Sequence, residues 1–194
     1  MFEKFTTDAR AVVREAAEQA GRTGSSTVGE PELLLALLDR KGSPAAAALG
    51  ALGVDKRRES VAEALATVRR RGGISTADAV ALAGLGIDVD EIVARVERTH
   101  GVGALAVDGA PGRRKRTRRP FTAEAKSVLE RALRIAAGRG ERRLGDEHLL
   151  MALTARPGPA AAVLAEHGVT FADVLRVVGE GGKPVERRRG RNLS

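Results

Sequence analysis

Phe5-Thr6-x-x-Ala9-x-x-Val12 returns as Phe121-Thr122-x-x-Ala125-x-x-Val128. Gly29-x-x-x-Leu33-Leu34-x-Ala36-Leu37 returns as Gly145-x-x-x-Leu149-Leu150-x-Ala152-Leu153, and Pro44-Ala45-Ala46-Ala47-x-Leu49 as Pro159-Ala160-Ala161-Ala162-x-Leu164. Aligned throughout, residues 5–54 and 121–169 share 21 identities over 49 paired positions, with one single-residue gap between Gly42 and Pro44. Self-similarity of this length sets the architecture before any single residue is interpreted. Nothing repeated has the makeup of a catalytic set, so the duplication points to a binding module.

Each copy reads as helices. Ala9, Val12, Val13, Ala16, Ala17 and Ala20 follow the i, i+3, i+4, i+7 rule and predict an amphipathic helix over about 6–22. Pro31 opens a second helix, running to about Arg40 through a nearly continuous apolar run, which predicts a central, buried element. Pro44 opens a third that stops at Leu52-Gly53, and Asp55 is expected to cap a fourth over about 56–70. In the second copy Asp146 is expected to be the N-cap of the central helix.

The junction Leu49-x-x-Leu52-Gly53-Val54-Asp55 is a helix stop, a fold-back residue and a new cap. It recurs as Leu164-x-x-His167-Gly168-Val169-Thr170, and a third time, outside both copies, as Leu82-x-x-Leu85-Gly86-Ile87-Asp88. That third copy predicts an extra helical pair, about 76–84 and 89–99. The chain thus divides into repeat 1 (1–71), an inserted helical pair (72–100), a flexible basic linker (101–120), repeat 2 (121–180) and a disordered basic tail (181–194).

Composition narrows the function classes. Among 194 residues there is no Cys, Trp or Tyr and only four Phe. The core must be Leu, Val and Ala, which favours an all-α protein. Without Cys there is no disulfide framework and no thiolate nucleophile or metal ligand. No run approaches a membrane span or a signal peptide, so a cytoplasmic, non-membrane protein is expected. The net charge is +8, but six cations lie in 113–119 and four in 187–191, leaving the remainder near −2.

Tested for chemistry, the sequence offers little. Gly179-Glu180-Gly181-Gly182-Lys183-Pro184 lacks the upstream Gly and the Ser/Thr of a phosphate loop, so no ATPase is expected. His100, His148 and His167 have no partner at metal-ligand spacing. No metal, cofactor or catalytic residue is predicted, and the protein is read as not an enzyme.

Phe2-x-x-Phe5-Thr6, the returning Pro120-Phe121-Thr122 and the two Gly-x-x-x-Leu-Leu-x-Ala-Leu helices resemble the N-terminal (Clp repeat) domain of the ClpA/ClpC/ClpB unfoldases, nearest the ClpC type. The resemblance covers about 1–70 and 121–180. It implies an all-α fold of two pseudo-symmetric four-helix repeats, here with an inserted helical pair and basic linker between them. In the family this domain precedes the AAA+ rings and receives adaptors and substrates; this chain looks like a free-standing version. The resemblance implies a peptide- or protein-binding role as adaptor, decoy or modulator of the Clp protease system, with Clp subunits or their substrates as partners.

Two sites follow from the same resemblance. In ClpC-type domains the Glu of a Gly-Thr-Glu-His motif binds phosphorylated arginine. Repeat 2 keeps it as Glu147 in Gly145-Asp146-Glu147-His148, whereas repeat 1 has Pro31 in Gly29-Glu30-Pro31-Glu32. The face that takes cyclic-peptide antibiotics in actinobacterial ClpC matches Phe2, Arg10, Val12, Val13, Phe121, Lys126 and Glu130. Phe2 is read as a surface contact and Phe5 as a core anchor.

The basic runs admit three readings: solvated linker charge, protease-sensitive or acidic-partner segments, and phosphate-backbone contact. In the last, Arg113, Arg114, Lys115, Arg116, Arg118 and Arg119 would clamp nucleic acid with strong salt dependence. No aromatic is interleaved to stack on bases. A nucleic-acid-associated regulator is the alternative function.

Overall fold

A computed structural model describes residues 2–106 and 119–181, with backbone alone at 2, 180 and 181. Ten α-helices account for nearly all of it: α1 (Thr7–Arg22), α2 (Glu30–Asp39), α3 (Pro44–Ala51), α4 (Arg58–Arg70), α5 (Thr76–Gly84), α6 (Val89–His100), α7 (Ala123–Gly138), α8 (Asp146–Thr154), α9 (Pro159–Glu166) and α10 (Phe171–Gly181). The fold is all-α, as the composition and periodicity predict. Repeat 1 is α1–α4 and repeat 2 is α7–α10, with the helical pair α5–α6 between them.

The duplicated sequence makes duplicated local structure. Thr6 and Thr122 cap α1 and α7 by accepting from the N–H groups of Ala9 (3.2 Å) and Ala125 (3.1 Å). After α3 and α9 the chain reverses through Gly53 and Gly168, at φ 68° and 73°, where a side chain would be strained. Val54 N–H then donates to Leu49 C=O at 2.9 Å, and Val169 N–H to Leu164 C=O at 2.8 Å. The third copy behaves alike: Gly86 has φ 80° and Ile87 N–H reaches Leu82 C=O at 3.0 Å.

The two repeats interlock. α2 and α8 touch at the centre, α4 packs on α9 of the other repeat, and α10 packs on α3. Phe5, Leu33, Leu34, Leu37, Leu149, Leu150 and Leu153 are fully buried in one core common to both repeats. At the edges the chain exchanges two isolated parallel bridges, Phe5 with Leu144 and Val28 with Phe121. Thr6 N–H donates to Leu144 C=O (2.8 Å) and Leu144 N–H to Lys4 C=O (2.7 Å). Val28 N–H donates to Pro120 C=O (2.9 Å) and Thr122 N–H to Val28 C=O (3.0 Å). Each repeat's opening strand is thus held by the other repeat's loop.

Several local expectations are corrected. Asp55 opens a short 3-10 turn, Asp55–Arg57, and no side chain caps α4. Asp146 is the first residue of α8; the cap position is Gly145, whose N–H donates to His148 Nδ1 at 3.0 Å. Residues 101–106, read as linker, run through turns, with Gly103 N–H donating to Glu97 at 2.9 Å and Ala104 N–H to Gly101 C=O at 3.2 Å. Residues 107–118 and 182–194 lie outside the described residues.

Candidate functional site

The N-termini of the central helices α2 and α8 concentrate the buried polar groups. In repeat 1 these are Glu30 and Glu32, each 3 % exposed; in repeat 2 they are Asp146 and His148, both fully buried. A charged side chain does not stay inside without partners, and the partners come from the opposite repeat. Asp146 Oδ1 accepts from the N–H of Ala45, at the start of α3, at 3.4 Å. Glu30 lies against the N–H of Ala160, the equivalent residue at the start of α9. Each central helix therefore carries an acid that caps the other repeat's third helix, where the positive end of the helix dipole favours it.

Burial pushes both of these carboxyls above the ordinary carboxylate range. For Asp146 the Ser43 hydroxyl and the Ala45 N–H oppose burial while the Glu147 charge adds to it. For Glu30 the Arg156 guanidinium and the Ala160 N–H oppose burial while Glu124 adds to it. Space is matched as well as charge. Ser43 precedes Pro44 opposite the shorter Asp146, whereas Gly158 precedes Pro159 opposite the longer Glu30. A Cβ on Gly158 would lie 2.3 Å from Glu30 Oε2.

The third residue of each motif closes its own helix. Glu32 Oε2 accepts from Gly29 N–H at 2.8 Å, and Arg69 stands 3.6 Å from its other oxygen. His148 does the same through Nδ1. Its Nε2 stands 3.4 Å from Glu141 Oε1. Glu141, Glu147 and His148 bring ligand-type atoms within 4.8 Å of one another. That donor set suits a metal poorly, because His148 Nδ1 already faces the Gly145 N–H of the cap.

Glu147, the second residue of its motif, is the sequence candidate for ligand binding. Its side chain folds back over Gly145, with Oε1 3.1 Å from His148 Nδ1. Burial pushes its carboxyl up, but the His148 ring, its own backbone N–H and Asp146 together hold it below the ordinary range. It stays ionised beside a groove of about 710 Å³, whose walls include Arg139 and Glu141 beyond α7, Pro44 and Ala47 of α3, and Val177 and Val178 of α10. In repeat 1 Pro31 borders a groove of about 560 Å³ walled by Leu35, Leu65, Ala66 and Arg69. Val102, Gly103 and Ala106 of the 101–106 turns also line it.

The residues matched to the cyclic-peptide face are dispersed in character. Arg10, Lys126 and Glu130 are exposed on α1 and α7. Phe121 is half-buried against the core, and Val13 is 9 % exposed. Val12 is fully buried, because its place in the period faces α1 into the core, so it is corrected from contact residue to core residue. Phe2 begins a short 3-10 turn, Phe2–Lys4, and its side chain lies outside the described residues. None of the other six residues lines the grooves above.

Of the basic run only Arg119 falls within the described residues. Its guanidinium donates to Ser25 C=O at 2.8 Å and covers Gly21, so it pins the chain to the end of α1. Arg113, Arg114, Lys115, Arg116 and Arg118 lie outside the described residues.

Sequence spacing missed one pairing. Ser60 of α4 and His167 beyond α9 meet at 3.0 Å, while His167 Nδ1 contacts Val163 C=O at 2.8 Å. That is the geometry of a nucleophile and its base. The neighbouring Arg57, however, directs its donors to the carbonyls of Leu52, Gly53 and His167. The contact fastens α4 to repeat 2. Among the described residues no helix is long and apolar enough to cross a membrane.

Comparison with known proteins agrees with this geometry. The family model described as the Clp repeat (R) N-terminal domain matches residues 4–83 and 120–192. The chain is 30% identical over 190 residues to a chloroplastic ClpA homologue (CD4B) of the Clp protease ATP-binding subunit from Solanum lycopersicum, covering 95% of this chain and 16% of that protein. It is 31% identical over 185 residues to the chloroplastic chaperone protein ClpC1 of Arabidopsis thaliana, covering 93% and 16%. It thus spans about a sixth of these relatives' length. The N-terminal domain of ClpD from Arabidopsis thaliana superposes with a TM-score of 0.55 at 20% identity, over 93% of this chain and 96% of that one. The Hsp104 N-terminal domain from Candida albicans gives 0.51 at 16%, over 96% and 98%. With both repeats matched and the all-α, two-repeat fold in place, the chain belongs to the Clp repeat N-terminal domain family.

Proposed function

We propose that this chain is a non-catalytic module that binds peptides or proteins and acts as an adaptor, decoy or modulator of the Clp protease system. The observation that carries the reading is the groove beside Glu147. An ionised, part-buried carboxylate stands there next to the apolar side chains of Val177 and Val178. Such a site takes an extended peptide that offers a cationic or guanidinium-bearing side chain among apolar neighbours. The corresponding groove of repeat 1 has Pro31 in place of Glu147, and its wall carries two cations, Arg69 and Arg70, against the one acid Glu32, which Arg69 faces at 3.6 Å; ligand binding through Glu147 therefore belongs to repeat 2 alone. Clp subunits and their substrates are the partners that family membership favours.

Calorimetry with peptides bearing phosphorylated arginine, against the same peptides unmodified, tests the reading. Binding that prefers the modified peptide and falls at least about tenfold in Glu147→Ala supports it. Equal affinity of the two proteins for either peptide overturns the role of Glu147. Sequestration of cyclic-peptide antibiotics rests on the exposed Arg10, Lys126 and Glu130 with Phe2 and Phe121. It is tested by titrating such a peptide into the intact chain and into the variant carrying Phe2→Ala and Phe121→Ala. Absence of binding by the intact chain removes it.

A further inference from the structure

Exposed large apolar side chains are concentrated in one place. Of the six that stand out among the described residues, Val80 (68 %), Leu85 (78 %), Ile87 (42 %) and Ile92 (49 %) all belong to the α5–α6 hairpin. α5 has no buried residue at all. Its outer stripe is Ala77, Val80, Ala81 and Gly84, spaced i, i+3, i+4, i+7, and continues into Leu85. An apolar stripe of small residues on a helix is a surface that another helix can approach closely.

The same molecule indicates what covers such a unit. The stop-and-cap junction occurs three times, and two of the three are covered. After Gly53 the chain enters α4, which packs on α9, the third helix of the other repeat; after Gly168 it enters α10, which packs on α3. The fold-back residues of those two junctions, Val54 (0 %) and Val169 (2 %), are buried as a result. The pairing is reciprocal and uses the units two at a time. The α5–Gly86–α6 unit is the third, and its fold-back residue Ile87 has no counterpart to bury it. α6 is anchored to its own chain through Arg70–Glu97 and Arg71–Asp90, at the end of α4. That leaves its Ile92 side outward.

We propose that the α5–α6 hairpin is a self-association face: two copies of this chain pack hairpin on hairpin about a two-fold axis and so cover the junction unit that is left uncovered within one molecule. An isologous contact of this kind needs a self-complementary surface. α6 has one, with acidic Asp90 and Glu91 in its first turn and basic Arg98 in its last. A two-fold axis across α6 sets one copy's acidic turn toward the other's basic turn. The exposed Glu91 and Arg95, paired within the helix at 3.1 Å, can exchange partners there. The contact is small, so the dimer is expected to be weak and concentration-dependent.

Sedimentation equilibrium on the 194-residue chain over a rising concentration series tests the proposal. The expected result is a monomer–dimer equilibrium whose dissociation constant rises at least about tenfold in the variant Val80→Glu with Leu85→Glu. An unchanged far-ultraviolet spectrum serves as the folding control, since both side chains are exposed. Because the chain has no Cys, Leu85→Cys supplies a unique reporter. Under mild oxidation it should give a covalent dimer, whereas Val102→Cys, 86 % exposed but off the hairpin, should give far less. A chain that stays monomeric throughout, or a dimer indifferent to the double substitution, overturns the proposal.

Discussion

Repeat 1 and repeat 2 solve one problem with different residues. Both must hold the start of a buried central helix and both must cap the third helix across the pseudo-two-fold. Repeat 2 does so with Asp146 and His148, repeat 1 with Glu30 and Glu32. The longer acid of repeat 1 is matched by the loss of a side chain at Gly158, the shorter acid of repeat 2 by the presence of Ser43. What the two do not share is the position between these structural residues. It is Glu147 in one and Pro31 in the other. The comparison separates what the scaffold requires, which is compensated, from what a ligand would require, which is not.

The largest expected effect tests how symmetric the scaffold is. Phe5 and Phe121 are equivalent in sequence and in their bridges, yet Phe5 is fully buried and Phe121 only partly. Phe5→Ala should cost about 3–5 kcal/mol by chemical denaturation, the usual range for a core Phe. Phe121→Ala should cost about half of that, in proportion to the area it removes from water. Equal losses would mean that the repeats contribute alike and that the burial difference carries no energetic weight.

The next effect tests the compensation. Gly158→Ser places atoms where Glu30 already sits and should destabilise by about 1–3 kcal/mol through overpacking. Glu30→Asp shortens the acid to the repeat 2 arrangement. The double variant should recover most of the loss, so the two changes should be strongly non-additive. If the losses simply add, Glu30 and Gly158 are not a matched pair.

The same residues predict a pH dependence. The folded-state carboxyl of Glu30 lies above its unfolded value because burial disfavours the charge. Its contribution to stability is therefore complete below the ordinary carboxylate range and is lost as pH rises through the folded value. Glu147 has the opposite sign: held low, it stabilises above the ordinary range, and that contribution is lost as pH falls through its lowered value. Stability of Glu30→Gln, measured from mildly acidic to neutral pH, should fall less with rising pH than that of the parent. A parallel pair of curves would place the Glu30 carboxyl at its ordinary value.

Most of this architecture was legible in the sequence. The duplication and the helix stops at Gly53 and Gly168 are local signals, written in short-range residue chemistry. So was the α5–α6 pair, whose expected ranges differ from the observed helices by a single residue. The roles of Glu30 and Asp146 were not legible, because their partners Ala160 and Ala45 lie over a hundred residues away and contribute backbone N–H groups, which leave no mark on sequence. The same distance hid the Ser60–His167 contact. Val12 shows the converse limit: a resemblance transfers a position, while burial depends on how this core closes.

The smallest expected effect concerns the third copy of the junction. Val54, Val169 and Ile87 each make the same reversed hydrogen bond after a glycine with positive φ. If that local geometry were the source of stability, trimming any of the three to Ala would cost alike. Burial says otherwise. Val54→Ala and Val169→Ala remove fully packed methyl groups and should cost about 1–3 kcal/mol. Ile87 is 42 % exposed on a hairpin that touches its own chain lightly, so Ile87→Ala should cost under about 1 kcal/mol in dilute solution. Amide exchange should separate the two contributions. The Ile87 N–H should remain protected in the Ala variant, because the bond to Leu82 C=O survives the loss of the side chain. A shared fall in protection across α5 and α6 would mean that Ile87 holds the hairpin together within one molecule, and that the reversal does not stand on its hydrogen bonds alone.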